Sequence, residues 1–142
     1  MILNEKGILQ KFDLVIYPVG IIIAIGDMEK EINKLYKPYD SNYNYLGLPG
    51  NNPAATYRVK EKKTGDNYCM IWIPKTDNVR GSYLCHECCH AALEVFQYVG
   101  ADVDFENQEP FCYLTGSIFR LCNNAFYHWK DYTDEKNSKT KK

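Results

Sequence analysis

The chain has 142 residues, a formal charge of −1 and 45% apolar residues, enough for one domain with its own core. That balance provides no basic field to hold nucleic acid, and the most apolar run, Leu14 to Ile25, is too short for the ~20 residues of a membrane helix and is interrupted by Pro18 and Gly20. Six cysteines, two of them adjacent at Cys88-Cys89, and no apolar signal core in residues 1–13 point to reduced thiols in a cytoplasmic setting rather than to a disulfide framework.

In chain order, the Val- and Ile-rich run Leu14 to Ile25 predicts one or two strands with a break at Pro18-Val19-Gly20. Asp27 is placed to cap a helix from Met28 to Tyr36, with Met28, Ile32, Leu35 and Tyr36 as its apolar stripe and Pro38 as its stop. Residues 37–55 are a long connection rich in Pro, Gly, Asn and Tyr, a length often tied to function. Tyr36, Tyr39, Tyr43, Tyr45 and Tyr57 cluster in and around it, either folded over the core or serving a binding surface. Thr56 to Glu61 and Asn67 to Pro74 predict a hairpin turned by Thr64-Gly65-Asp66-Asn67.

A helix opening at Asn78 or Ser82 should reach about Val99, with Gly100 as its stop. A second helix should begin at Pro110 and run to about Trp129. Residues 1–132 then form a single domain, and the Lys-rich residues 133–142 a disordered tail. Strand, helix, hairpin, helix, helix is the order of an α+β domain: a small antiparallel or mixed sheet on a helix hairpin.

The chemistry lies in His86-Glu87-Cys88-Cys89-His90. Imidazoles at i and i+4 share one face of a helix, a turn apart, and can take two corners of a zinc tetrahedron. Glu87, set ~80–100° round the helix, flanks the metal and can take a proton from its bound water. Leu84, Cys88, Ala91, Val95 and Val99 form an apolar stripe on the opposite side, so the helix would pack by one face and present both His on the other.

A third ligand is expected, with the fourth position left open for catalysis. Glu109, at the start of the second helix, is the choice, and Glu106, Asp104 and Asp102 in the same connection are its rivals. On that helix Phe111, Leu114, Ile118, Leu121, Cys122, Ala125 and Trp129 form the packed stripe, and Glu109, Tyr113, Gly116 and Arg120 share the opposite face. Tyr113, about 6 Å beyond Glu109, is positioned to donate to an oxyanion. Arg120 is either a substrate-carboxylate contact or a surface cation. His128 would lie about 28 Å along the helix from Glu109 and is set aside.

His86-Glu87-x-x-His90 followed by Glu109 resembles the gluzincin arrangement of zincin metallopeptidases, and is similar to compact peptidases of phages and mobile elements. The resemblance spans residues 79–125 and does not extend to residues 1–75. It implies a minimal zincin-like domain with one zinc ion on His86, His90 and Glu109, Glu87 as general base, and a protein or peptide substrate. Cys88-Cys89 inside the motif departs from the usual pattern.

Other readings stay open. Cys85 and Cys89 could complete a closed site with the two His, although the knuckle spacing of such sites is missing. Cys85, Cys88, Cys112 and Cys122 could instead pack in the core. Strand Asn67 to Pro74, with Trp72, could flank the cleft and pair with an extended peptide. The function alternative to a peptidase is a zinc-stabilised binding or assembly protein without hydrolysis; a metal-free interaction domain is the third.

Overall fold

Every residue of Gly20–Gly26 is buried. A strand covered on both faces has no polar alternation, which is why this run reads as unbroken Ile and Ala. In the computed structural model, which describes residues 1–40, 42 and 44–140, it forms β3 near the middle of one six-stranded sheet. The rest of the expected strand region, residues 14–19, holds no strand, and residues 15–19 are turn and bend, since Pro18 has no N–H for a ladder.

The strands are β1 (Ile2–Asn4), β2 (Gly7–Phe12), β3, β4 (Tyr36–Pro38), β5 (Ala55–Glu61) and β6 (Asn67–Ile73), in the spatial order β1-β2-β3-β6-β5-β4. All neighbours are antiparallel except β3 and β6, which run parallel from Gly20↔Tyr68 to Ile25↔Ile73. Among the described residues three α-helices accompany the sheet: α1 (Glu29–Leu35), α2 (Gly81–Val99) and α3 (Glu109–Thr140). The class is α+β, and the sheet is mixed. No helix among the described residues is long and apolar enough to cross a membrane.

Two elements have no counterpart in the sequence expectations. Residues 2–12 form the hairpin β1–β2, turned by Asn4, whose Oδ1 accepts from the N–H of Lys6 at 2.8 Å and of Gly7 at 3.2 Å. Beside this turn two backbones nearly touch. A Cβ on Gly7 would stand 1.9 Å from the Ile25 carbonyl oxygen, and one on Gly26, at φ +94°, 2.0 Å from that of Lys6. The second element is β4. Helix α1 ends at Leu35, one residue short of the expected Tyr36, because Tyr36 turns extended and Lys37 pairs with Lys60. Pro38 sits on this edge strand, where a missing N–H is tolerated. Nor does Asp27 cap α1: the N-cap is Met28, with no side-chain hydrogen bond.

The hairpin β5–β6 and helix α2 lie where the sequence puts them, α2 ending on Gly100 in the left-handed conformation. One face of the sheet packs on α2 and α3 through Ile21, Ile23, Ile71, Leu84, Val95 and Ile118; Cys88 and Cys122 meet there too. The other face, with Ile22, Met70 and Trp72, packs on α1 through Met28 and Ile32. The long connection is tied to α1 by Asn33, which bonds both backbone groups of the buried Leu46. Of the tyrosine cluster, Tyr36 is buried and Tyr57 packs near Trp72, while Tyr45 is exposed and bonds Glu29; Tyr43 lies outside the described residues.

Helix α3 continues through residues 133–140, which the composition assigns to a disordered tail. Hydrogen bonds from His128 to Gln10 and from Lys136 to Glu5, each 3.1 Å, hold its second half beside the N-terminal hairpin. Lys141 and Lys142 lie outside the described residues.

Candidate functional site

Helix α2 buries Leu84, Cys88, Ala91 and Val95 and leaves His86 and His90 exposed; Val99 falls outside the buried stripe at 37% exposure. The two imidazoles converge, with Nε2 atoms 3.1 Å apart and rings edge to face. Two nitrogens ~2.0–2.1 Å from one zinc at the tetrahedral angle stand about 3.3 Å apart. The 3.1 Å separation is that of a hydrogen bond between the two rings, and it is also close to the spacing of two ligands on one ion.

Glu87 is the one buried charged residue among those described, at 7% exposure. It lines an open cleft of ≈ 540 Å³ together with His86, His90, Tyr83, Thr56 and Glu94. Thr56, on β5, donates from its hydroxyl to Glu87 Oε2 at 2.6 Å. A burial this complete requires such a partner, and the bond leaves Oε1 as the second acceptor of the carboxylate. Glu94, one turn past His90, is paired with Arg58 Nε through Oε2, and Arg58 Nη2 reaches Gln97 at 2.6 Å. Sequence reasoning missed Thr56 and Glu94. Glu94 carried a signal, since it continues the i, i+4 face of His86 and His90.

The expected third ligand does not join them. Phe96 stacks edge to face on Phe111, with centroids 5.8 Å apart, and the Cys88 and Cys122 sulfurs are 3.9 Å apart. These contacts set the register of an antiparallel helix pair. Glu109 then lies level with the C-terminal end of α2, about 11 Å along the helix from His90. It is exposed and, like Glu106, Asp104 and Asp102 in the same connection, lines no part of the cleft. Tyr113 is 72% exposed and, with Arg120, borders a different groove against residues 13–17. Neither Tyr113 nor Arg120 faces the two His. Glu94 is no substitute: an i+8 position is about 12 Å from His86 along the axis, beyond the reach of a shared ion. Among the described residues, no group of three or more His, Cys, Asp and Glu converges to hold a metal.

The same statement covers a closed site with cysteine. Cys85 and Cys112 are exposed rather than packed, while Cys88 and Cys122 are core residues. The hydrogen bond with Cys88, and burial after it, hold the Cys122 thiol well above the usual range, and burial raises that of Cys69. These thiols are inert packing groups.

The cleft strand is β5 and not β6. Strand β6 has β3 on one side and β5 on the other, so it has no edge to offer, and Trp72 is fully buried on the α1 face. On β5, strand β4 pairs only with Val59 to Glu61, and the Tyr39 N–H extends the contact to the Arg58 carbonyl. Among the described residues, no strand pairs with the outer side of Ala55 to Tyr57, and Ala55 and Thr56 of that segment border the cleft.

No family model matches the chain, and no curated protein or solved structure matches it.

Proposed function

We propose that the chain is a zinc-dependent hydrolase, a metallopeptidase, that acts on an extended peptide in the cleft between β5 and α2. The observation that carries this reading is the convergence of the His86 and His90 Nε2 atoms, 3.1 Å apart, beside a buried carboxylate one residue along the same helix. His86 and His90 would hold the ion by these nitrogens. Zinc bound there supplies a Lewis acid that polarises a carbonyl and acidifies water.

The chain's own residues do the rest. Glu87 accepts a proton at the carboxylate oxygen that Thr56 leaves unengaged and returns it to the leaving amine. Thr56 fixes the orientation of that carboxylate through Oε2. The outer side of Ala55 to Tyr57, which pairs with no strand among the described residues, would offer backbone groups to an extended peptide and orient it by strand addition. An ion on these two protein nitrogens would be held more loosely than one on three protein ligands, and would leave positions for solvent and substrate.

The test is Glu87→Gln in the full chain purified after growth with zinc. Metal content and cleavage of a proteome-derived peptide pool are measured for variant and parent. The expected result is unchanged zinc and loss of cleavage by ~100-fold or more. If the variant keeps every activity of the parent, a zinc-stabilised binding protein takes the place of the hydrolase. If the parent carries no zinc, the metal reading is wrong altogether.

A further inference from the structure

Helix α3 packs inward through Leu114, Ile118, Cys122 and Ala125. On its outer side Tyr113, Ser117, Arg120, Asn124 and Tyr127 recur at alternating steps of four and three residues, the spacing of a seam along which two helices pair. Tyr113 is 72% and Tyr127 57% exposed, and Arg120 and Asn124 are exposed too. Beside this seam the segment 13–17 raises Val15, 100% exposed, and Ile16, 81% exposed, and encloses with α3 a groove of ≈ 440 Å³. Single exposed apolar residues need no explanation, but a contiguous set marks an interaction site.

The symmetry of this face selects its occupant. Tyr113 and Tyr127 each stand seven residues from Arg120, ~10.5 Å along the helix, so the seam has the same aromatic ends and cationic centre read in either direction. Two copies packed antiparallel about a twofold axis at Arg120 set each Tyr113 against Tyr127 of the second copy. Two Arg120 alone would repel at that axis, but Asp13 stands beside them. Gln10 bonds His128, whereas Tyr17 packs on Phe96 and Phe96 on Phe111, so the chain from Gln10 to Tyr17 runs along α3 and passes the level of Arg120 near Asp13. Asp13 and Arg120 line the same groove and are exposed, and neither forms an ion pair among the described residues. The axis brings two of each together, acid beside base. Val15 and Ile16, farther along the segment, come level with Asn124 to Tyr127 of the second copy. Residues 13–18 carry an acid and no base, the wrong sign for an anionic lipid surface.

We infer that this face pairs two copies of the chain, with their α3 helices antiparallel and crossing at Arg120, and with Val15 and Ile16 of each copy covering the outer side of the other's α3. The surface lies on α3 and the segment 13–17, apart from the cleft of His86 and His90 between α2 and β5, so the pairing goes beyond the metal reading and does not depend on it. Ser117, Arg120 and Asn124 make the seam polar, which gives a reversible dimer rather than an obligate one.

The test is sedimentation equilibrium of the full chain with its thiols kept reduced. A monomer–dimer equilibrium with a dissociation constant of ~1–100 µM is expected, the same with and without zinc. Ile16→Asp and Tyr127→Ala should each weaken it at least ~10-fold with Tm unchanged, because both side chains are exposed in the single chain. Arg120→Asp alone sets only acids at the axis and Asp13→Arg alone only bases, so each should weaken pairing by a similar factor. The double variant, Asp13→Arg with Arg120→Asp, should restore most of the affinity, and added salt should narrow the spread among the charge variants. A chain that stays monomeric at ~500 µM, a dimer that Ile16→Asp and Tyr127→Ala leave intact, or single charge variants that the double variant fails to rescue overturns the inference. A monomer that binds anionic vesicles through Val15 and Ile16 overturns it as well.

Discussion

The Thr56 hydroxyl lies 2.6 Å from Glu87 Oε2, although 31 residues separate the two in the chain. The bond joins the strand that borders the cleft to the helix that carries both His. It also gives a buried carboxylate its one side-chain donor among the described residues. Thr56→Val keeps the shape and removes that donor, leaving Oε2 unsatisfied. Turnover should fall ~10–100-fold, the scale typical of supporting hydrogen bonds in metal sites, with zinc content unchanged. Thr56→Ser should restore most of it. Steady-state kinetics beside metal analysis separates this from general unfolding, which would reduce both.

His86→Ala and His90→Ala should each abolish zinc binding, because one imidazole alone does not hold the ion. In the parent chain, zinc at about 100 times its dissociation constant should raise stability by ~2.7 kcal/mol, seen as a higher Tm. Neither variant should respond. A chelator should return the parent to the metal-free midpoint.

Glu109→Ala and Tyr113→Phe should leave zinc content and turnover within about twofold of the parent, with stability changes inside ±0.5 kcal/mol as for other exposed positions. This follows from the helix register that Phe96–Phe111 and Cys88–Cys122 impose. A loss of zinc in Glu109→Ala would show that the helices pair differently in solution.

That contrast marks what was legible in the sequence. The approach of His86 and His90 was, because spacing at i and i+4 is a local property of a helix, and α2 declares itself by its stripe and by Gly100. The β5–β6 hairpin was legible from its alternation and turn. That Glu109 lies outside the cleft was not legible, because its position depends on how two helices slide past each other, which side-chain packing decides rather than spacing. Thr56 was invisible for the same reason, as was the choice of β5 over β6 for the cleft wall, which rests on strand order. The N-terminal hairpin drew no strand expectation, because Asn4, Glu5 and Lys6 at its turn interrupt the alternation of residues 2–12. Residues 133–140 carry no apolar stripe, so the extension of α3 could not be told from a solvated tail.

Alkaline pH should destabilise the fold through its buried thiols. The folded chain raises the Cys122 thiol above its unfolded range, chiefly through the bond with Cys88, and the Cys69 thiol through burial. A raised folded value stabilises the native state fully below the unfolded value of 9.0. That contribution is lost as pH rises above it, because only the unfolded chain then releases the protons. Denaturant midpoints measured from about pH 8 to about pH 10.5 should fall more steeply for the parent than for a Cys69→Ala variant. Thiol titration should find Cys85 reactive and Cys69 and Cys122 protected in the native chain.

The single parallel ladder, β3 against β6, has a consequence for biogenesis. Ile21 to Ile25 leaves the ribosome well before its partner Cys69 to Ile73. No crossover of local contacts can close that ladder early, and pairing between distant segments is slow. Until β6 is made, a stretch of Ile with high strand propensity has only β2 on one flank and an open edge on the other, the composition that invites self-association. Yield of native protein should therefore respond to translation speed and temperature more than the stability of the finished fold would suggest.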